Sequence, residues 1–191
     1  MANENKTNST KVVTGLVRFS YVHIFKPEAV DEDSEKKYSM AVLIPKSDKA
    51  TLSAIKAAVD AAKEKGKTEK WNGKMPANLK TPLRDGDDER PDGEAYAGHY
   101  FFNCSSKQKP QIVDSHCQEI LDETAVYSGC YGRVSVNFFP FDAKGNKGVA
   151  AGLNNVQKLK DGESLAGGST AEEDFGDGFG ENFDDDDDYL D

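Results

Sequence analysis

Three stretches of this sequence set flat rings beside cations. Arg18, Phe19 and Tyr21 lie together near the start, Phe101 is followed by Lys107 and Lys109, and Tyr131, Arg133 and Phe139 alternate along a third stretch. A planar side chain stacks on another planar group, and Lys or Arg displaces counterions from a phosphate. A ligand that presents both, an unpaired nucleic-acid strand, would use this mixture. Trp71, the single tryptophan, sits between Lys70 and Lys74, and Arg84 and Arg90 bracket Asp85-Gly-Asp-Asp-Glu. Each ring taken alone is explained as well by a buried core position, and each lysine by plain surface. Trp71 is equally suited to anchoring a loop. The recurrence on three separate stretches carries the reading.

Other chemistry is weakly supported. Asp85, Asp87 and Asp88 offer oxygen ligands for Mg²⁺, as a nuclease or annealing factor would need. No supporting His or Lys pattern follows, so a solvated loop with phosphate-touching arginines is preferred. His116 and Cys117, with Cys104 and Cys130, suggest zinc, yet the cysteines stand 13 residues apart with no Cys-x-x-Cys pair. Core thiols in a reducing compartment fit better. There is no phosphate-cradling glycine loop and no nucleophile elbow. The expectation is a binding protein with no catalytic residue, metal or cofactor.

The elements that must hold these residues are mostly strands. Residues 11–25 are rich in β-branched and aromatic types and read as a long first strand, with a bend or bulge near 18–20 where the apolar parity changes. Tyr38, Met40, Val42 and Ile44 alternate with smaller or polar neighbours as strand two. Ser47 can cap a helix over 48–65, whose Leu52, Ile55, Val59 and Ala62 share a face, with Gly66 as its C-cap. Residues 66–97 form a long loop. Strand three covers 99–105, with Phe102 and Cys104 on one face and Phe101 on the other, and 111–113 is a short strand. A connection with some helical turn over 114–128 precedes a hairpin, whose strands span 129–141 and 148–156. Five or six strands with one helix predict a small antiparallel barrel of the OB type.

The charge is unevenly placed. The chain has 191 residues and a net charge of −10, but residues 1–160 hold 24 basic and 21 acidic residues while 161–191 hold 13 acidic and no basic ones. The hydrophobic fraction of 37% is low for a wholly packed chain. The division expected is a flexible N-terminus over 1–10, a folded domain over 11–160 and a disordered acidic tail over 161–191. The tail carries Phe175, Phe179, Phe183 and Tyr189 around the run Asp184, Asp185, Asp186, Asp187 and Asp188. A flexible polyanion can imitate nucleic acid, compete for the protein's own basic groove, and present its rings to replication or recombination proteins. No apolar run is long enough for a membrane span and no secretory signal opens the chain, so a cytoplasmic protein is expected. A DNA mimic that sequesters another protein would spread its acidity over the folded body, which here is net basic. Exposed strand edges and the tail leave self-association open.

The segments Gly15-Leu-Val-Arg-Phe-Ser, Tyr38-Ser-Met-Ala-Val-Leu-Ile-Pro-Lys, Tyr131-Gly-Arg-Val-Ser-Val-Asn-Phe-Phe-Pro-Phe and Gly152-Leu-Asn-Asn-Val-Gln-Lys-Leu occur in an order that resembles a family of phage and prophage proteins. Its members, long catalogued as a domain of unknown function, are regarded as phage single-stranded DNA-binding proteins. The resemblance covers about residues 11–160. It implies an OB-like barrel, sequence-independent binding of single-stranded DNA in phage replication or recombination, and no catalytic residues. The tail is similar to those of bacterial and phage single-stranded DNA-binding proteins, but ends Tyr189-Leu190-Asp191 where they commonly end in Phe.

Overall fold

A computed structural model of the chain describes residues 9–29, 31–143, 145–165 and 174–176. Phe179, Phe183, Asp184 to Asp188 and Tyr189 lie outside the described residues, as do residues 1–8 of the expected N-terminal extension.

Five strands close into a ring: β2 (Val17–Glu28), β3 (Lys37–Pro45), β5 (His99–Ser106), β8 (Asn146–Lys160) and β7 (Tyr131–Ala143). All ring pairings are antiparallel except β5 with β8, and β7 closes the ring by pairing with β2. This order, with its one parallel pair, is an OB barrel. Three short strands decorate it: β1 (Lys11–Val13) beside β7, β4 (Arg84–Asp85) beside β5, and β6 (Gln111–Val113) beside β8. Closure leaves no free edge on the ring itself.

Inward positions alternate as the pleat requires: Phe19 and Ile24 from β2, Met40, Val42 and Ile44 from β3, Phe102 and Cys104 from β5, Val134, Val136 and Phe138 from β7. The helix α1 (Lys49–Glu69) buries Ile55, Ala58, Val59 and Ala62 in the same core.

Local differences from the sequence reading have physical causes. The expected first strand is interrupted at Thr14 to Leu16. Thr14 is fully buried there; its Oγ1 accepts from Val134 N at 3.1 Å, and Gly15 N donates to Thr51 Oγ1 at 3.0 Å. The expected bulge appears at Tyr21, which has φ +47° and lies where the pairing with β3 shifts register. The N-cap of α1 is Asp48, not Ser47: its side chain accepts from Thr51 N at 3.1 Å. Gly66 is not the C-cap, because the helix runs on to Glu69. A Cβ at position 66 would stand 2.6 Å from Pro140 Cβ and 2.7 Å from the Trp71 ring, so glycine is needed for close packing. No helix forms over 114–128.

The long loop is a folded flap. β4, a one-turn helix (Gly86–Glu89) and a 3₁₀ turn (Glu94–Tyr96) lie against the outside of the barrel. Tyr96 packs edge-on against Phe101 at 5.0 Å, over Ala41 and Leu43, and its hydroxyl donates to Ser20 Oγ at 3.2 Å. Lys46 Nζ clamps the flap, lying 2.8 Å from both Asp85 Oδ1 and Asp87 Oδ2.

Candidate nucleic-acid interface

The pairing register places the outward side chains of the barrel in rows. Ser20 lies opposite Ala41, Ala41 opposite Asn103, and Ala150 opposite Phe139. Because Cys104 pairs with Ala151, Asn103 stands beside Ala150, which completes a row across five strands. The next row runs Ser39, Ser105, Gly152 and Asn137. Nearly every member is small. Tyr96 covers Ser20 and Ala41, while Ser39, Asn103, Ser105, Ala150 and Gly152 remain at least partly open, a floor of short side chains that a flat ligand can approach.

A cavity of about 430 Å³ lies over this floor, lined by Tyr21, Ser39, Ala41, Asn103, Ser105 and Ala150 and walled by Lys80 and Arg84. Rings flank it. Tyr21 is 55% exposed and Phe139 43%, unusual for rings of this size. The Arg90 guanidinium stands 5.9 Å from the Tyr21 ring and 5.7 Å from the Tyr96 ring, so the flap brings a cation to the groove. Arg84 leans on Glu89 at 3.6 Å and remains half-exposed.

Of the residues singled out in the sequence, Tyr21 and Arg84 line this cavity, Arg90 stands beside the Tyr21 ring, and Phe139 continues the row past Ala150. Three others are corrected. Phe19 is fully buried in the barrel core, and Phe101 is sealed beneath Tyr96 at 2% exposure; neither has a face open to a base. Trp71 is likewise buried, its Nε1 donating to Phe141 O at 3.2 Å, and it anchors the end of α1 to the barrel. Lys74, exposed in the following turn, does not line the cavity. Lys107 pairs with Glu35 at 3.1 Å, and Lys109 lies 5.5 Å from the Phe25 ring. Arg18 stands 5.4 Å from the Tyr131 ring and donates to Gly129 O at 3.1 Å and Glu163 O at 2.8 Å. Tyr131 also carries Lys160 at 5.6 Å and is covered by Gly162, so its ring is packed against the chain that follows β8. Arg133 donates through Nε to Thr14 O at 2.8 Å and lines a different cavity.

The floor itself and Lys80 were missed by reasoning from residue types, which looks for rings and charges. The signal was present in the alternation of residues 38–44, where Ser39 and Ala41 are the small outward partners of the core residues.

The acidic cluster after Arg84 has a structural task. Hydrogen bonds from Lys46 hold the Asp85 and Asp87 carboxyls below the usual carboxylate range and raise the Lys46 ammonium above the usual lysine value. Two of the three carboxylates considered for a metal are thus committed to an internal cation. Among the described residues, no group of three or more His, Cys, Asp or Glu side chains could hold a metal ion. Burial pushes the Cys104 thiol up to about 12 and the Cys130 thiol upward as well, so these two are inert. Among the described residues, no helix is long and apolar enough to cross a membrane.

A family model for the single-stranded DNA-binding protein of Enterobacter phage Enc34 matches residues 10–190, nearly the whole chain and the acidic segment with it. The chain belongs to this family. Protein p50 of Acyrthosiphon pisum secondary endosymbiont phage 1 is 33% identical over 171 residues, 84% of this chain and 89% of that one. The solved structure of the Enc34 single-stranded DNA-binding protein in complex with single-stranded DNA superposes with a TM-score of 0.75 at 25% identity, over 86% of this chain and 97% of that chain. The single-stranded DNA-binding protein gp2.5 of bacteriophage T7 has a TM-score of 0.59 at 17% identity, over 86% and 93%, and so shares the fold. The Enc34 family consists of single-stranded DNA-binding proteins, not enzymes.

Proposed function

We propose that this member of the Enc34 family coats single-stranded DNA in phage replication and recombination, in the host cytoplasm, by laying the strand along the small-residue floor. Bases stack on Tyr21 and Phe139, while Lys80, Arg84 and Arg90 replace counterions on the phosphates. Stacking uses the π-face that every base has, so binding is indifferent to sequence. The observation that carries this reading is the open patch of small side chains at Ser39, Asn103, Ser105 and Ala150, with half-exposed Tyr21 on one side and half-exposed Phe139 on the other. The two rings are separated by three intervening strands and so serve different bases.

The acidic segment competes with DNA for this groove and recruits replication or recombination proteins. Its support is where the described chain leads. Beyond β8, Leu165 N donates to Ser128 O at 2.8 Å, and Leu165 shares a cavity of about 720 Å³ with Tyr21 and Tyr96. This described stretch therefore ends beside a groove ring, seven residues before Glu172.

The test is binding of fluorescent dT oligonucleotides, with duplex as control, across a salt series. The full chain is compared with one ending at Leu165, which keeps the contacts of Arg18 to Glu163 and of Leu165 to Ser128. Salt-sensitive preference for single strands, strengthened by the truncation, is expected. Failure of the truncated chain to bind dT would refute the groove, and equal binding by both chains would refute the competition.

A further inference from the structure

A second cavity, of about 310 Å³, lies on the same barrel exterior beyond Phe139. It is built on four neighbouring strands. Val13 of β1 lies opposite Ser135 of β7, Ser135 opposite Asn155 of β8, and Asn155 beside Gln111 of β6. The adjoining row is Arg133, Gln157 and Val113.

The lining is chemically distinctive. Gln111 and Asn155 are exposed, and among the described residues their carboxamides make no hydrogen bond. Each can donate and accept at once, as the edge of a base requires. Ser135 is more than nine-tenths buried, and its Oγ is the one buried side-chain polar atom among the described residues with no hydrogen-bond partner. Val13 and Val113 supply apolar walls. The remaining N–H groups of Arg133, whose Nε is spent on Thr14 O, supply a cation, and no carboxylate lines the cavity. An apolar slot with amide edges and one guanidinium fits a nucleotide.

β7 links this cavity to the groove. Outward residues of β7 step from Phe139 through Asn137 and Ser135 to Arg133, about 20 Å at 3.3–3.4 Å per residue. Lys11, exposed and paired with Asn137, stands beside this path. We propose that single-stranded DNA leaving the groove over Phe139 continues along β7 and seats one nucleotide in the Val13–Gln111–Ser135–Asn155 cavity, its base edge on the carboxamides and its phosphate on Arg133. This rests on the DNA-binding reading above and extends it from one groove to a track around the barrel.

The full chain carries its own reporter. Cys117 is exposed and lines this cavity, whereas Cys104 and Cys130 are buried, so a maleimide reports on Cys117. Its labelling rate is measured alone and with saturating dT oligonucleotides of about 4 and about 16 nucleotides, the span of OB-fold site sizes. The longer strand should slow labelling severalfold, and the shorter, which fills the groove alone, should leave it unchanged. The Gln111→Ala, Asn155→Glu double variant alters two exposed side chains. It should bind the short strand like the unaltered chain and lose severalfold of the affinity gained with length. If the long strand binds yet leaves Cys117 labelling unchanged, and the variant binds both lengths normally, the track is wrong while the groove stands. If neither strand binds, the DNA-binding reading itself fails.

Discussion

Tyr21→Ala separates a ring that stacks bases from one that holds the fold. The Tyr21 side chain is 55% exposed, and its described ring contact is the Arg90 guanidinium at 5.9 Å. Its φ of +47° strains Ala as it strains Tyr, so the substitution neither adds nor relieves backbone cost. Stability should therefore change by no more than about 0.5 kcal/mol, as for other exposed positions. A base stacked on the ring is worth about 1–3 kcal/mol, which predicts dT binding weaker by about 5- to 150-fold. Tyr21→Phe keeps the π-face and should bind nearly as the unaltered chain does. Phe19→Ala, two residues away but fully buried, supplies the contrast. It should cost about 3–5 kcal/mol of stability and affect binding only through the unfolded fraction. The assays are fluorescence anisotropy with labelled dT and urea unfolding on the same preparations. If Tyr21→Ala unfolds normally and binds dT with unchanged affinity, Tyr21 is not a base platform and the groove has been placed wrongly.

Arg90→Gln should weaken binding and, by removing one phosphate contact, make the slope of log affinity against log salt shallower by about 0.7; an unchanged slope would take Arg90 off the backbone path. The Lys46 clamp sets a pH window for the flap. Asp85 and Asp87 titrate below their ordinary value in the folded chain, so their contribution is present above the unfolded aspartate pKa of about 3.9 and is lost as pH falls through the lower folded values. Lys46 is raised, so its share is present below the ordinary lysine pKa and is lost only at pH above it. The thermal midpoint of the unaltered chain should exceed that of the Asp85→Asn, Asp87→Asn double variant at neutral pH, and the gap should begin to close only below about pH 4, as pH falls through the lower folded values; a gap that does not shrink in acid would refute the clamp. Gly66→Ala, which meets Pro140 and the Trp71 ring at 2.6 and 2.7 Å, should destabilise by about 1–3 kcal/mol in urea unfolding despite Ala's better helix propensity.

What could be read beforehand and what could not divide along a physical line. Alternation is a local property, so residues 38–44 and 99–105 declared their strands and their inward residues, and the apolar stripe of α1 declared the helix. Which outward rings remain open to a base depends on what lies over them, and that is decided at long range. Phe101 and Tyr100 are neighbours in one strand, yet Phe101 is sealed because Tyr96, held by Ser20 and by the Lys46 clamp, folds back upon it. The same flap that hides Phe101 delivers Arg90 to Tyr21. A search for rings and cations finds Tyr21, Phe139, Arg84 and Arg90, and with equal conviction Phe19, Phe101 and Trp71. It has no reason to pick Ser39, Ala41 or Asn103, whose contribution is to be small in register on adjoining strands. Register is a property of pairs of strands, and here the pairs bring together residues more than a hundred positions apart, such as Ala150 and Ala41 in one row. The groove is therefore specified less by the residues that would touch DNA than by the closure of the barrel that aligns the ones that stay out of its way.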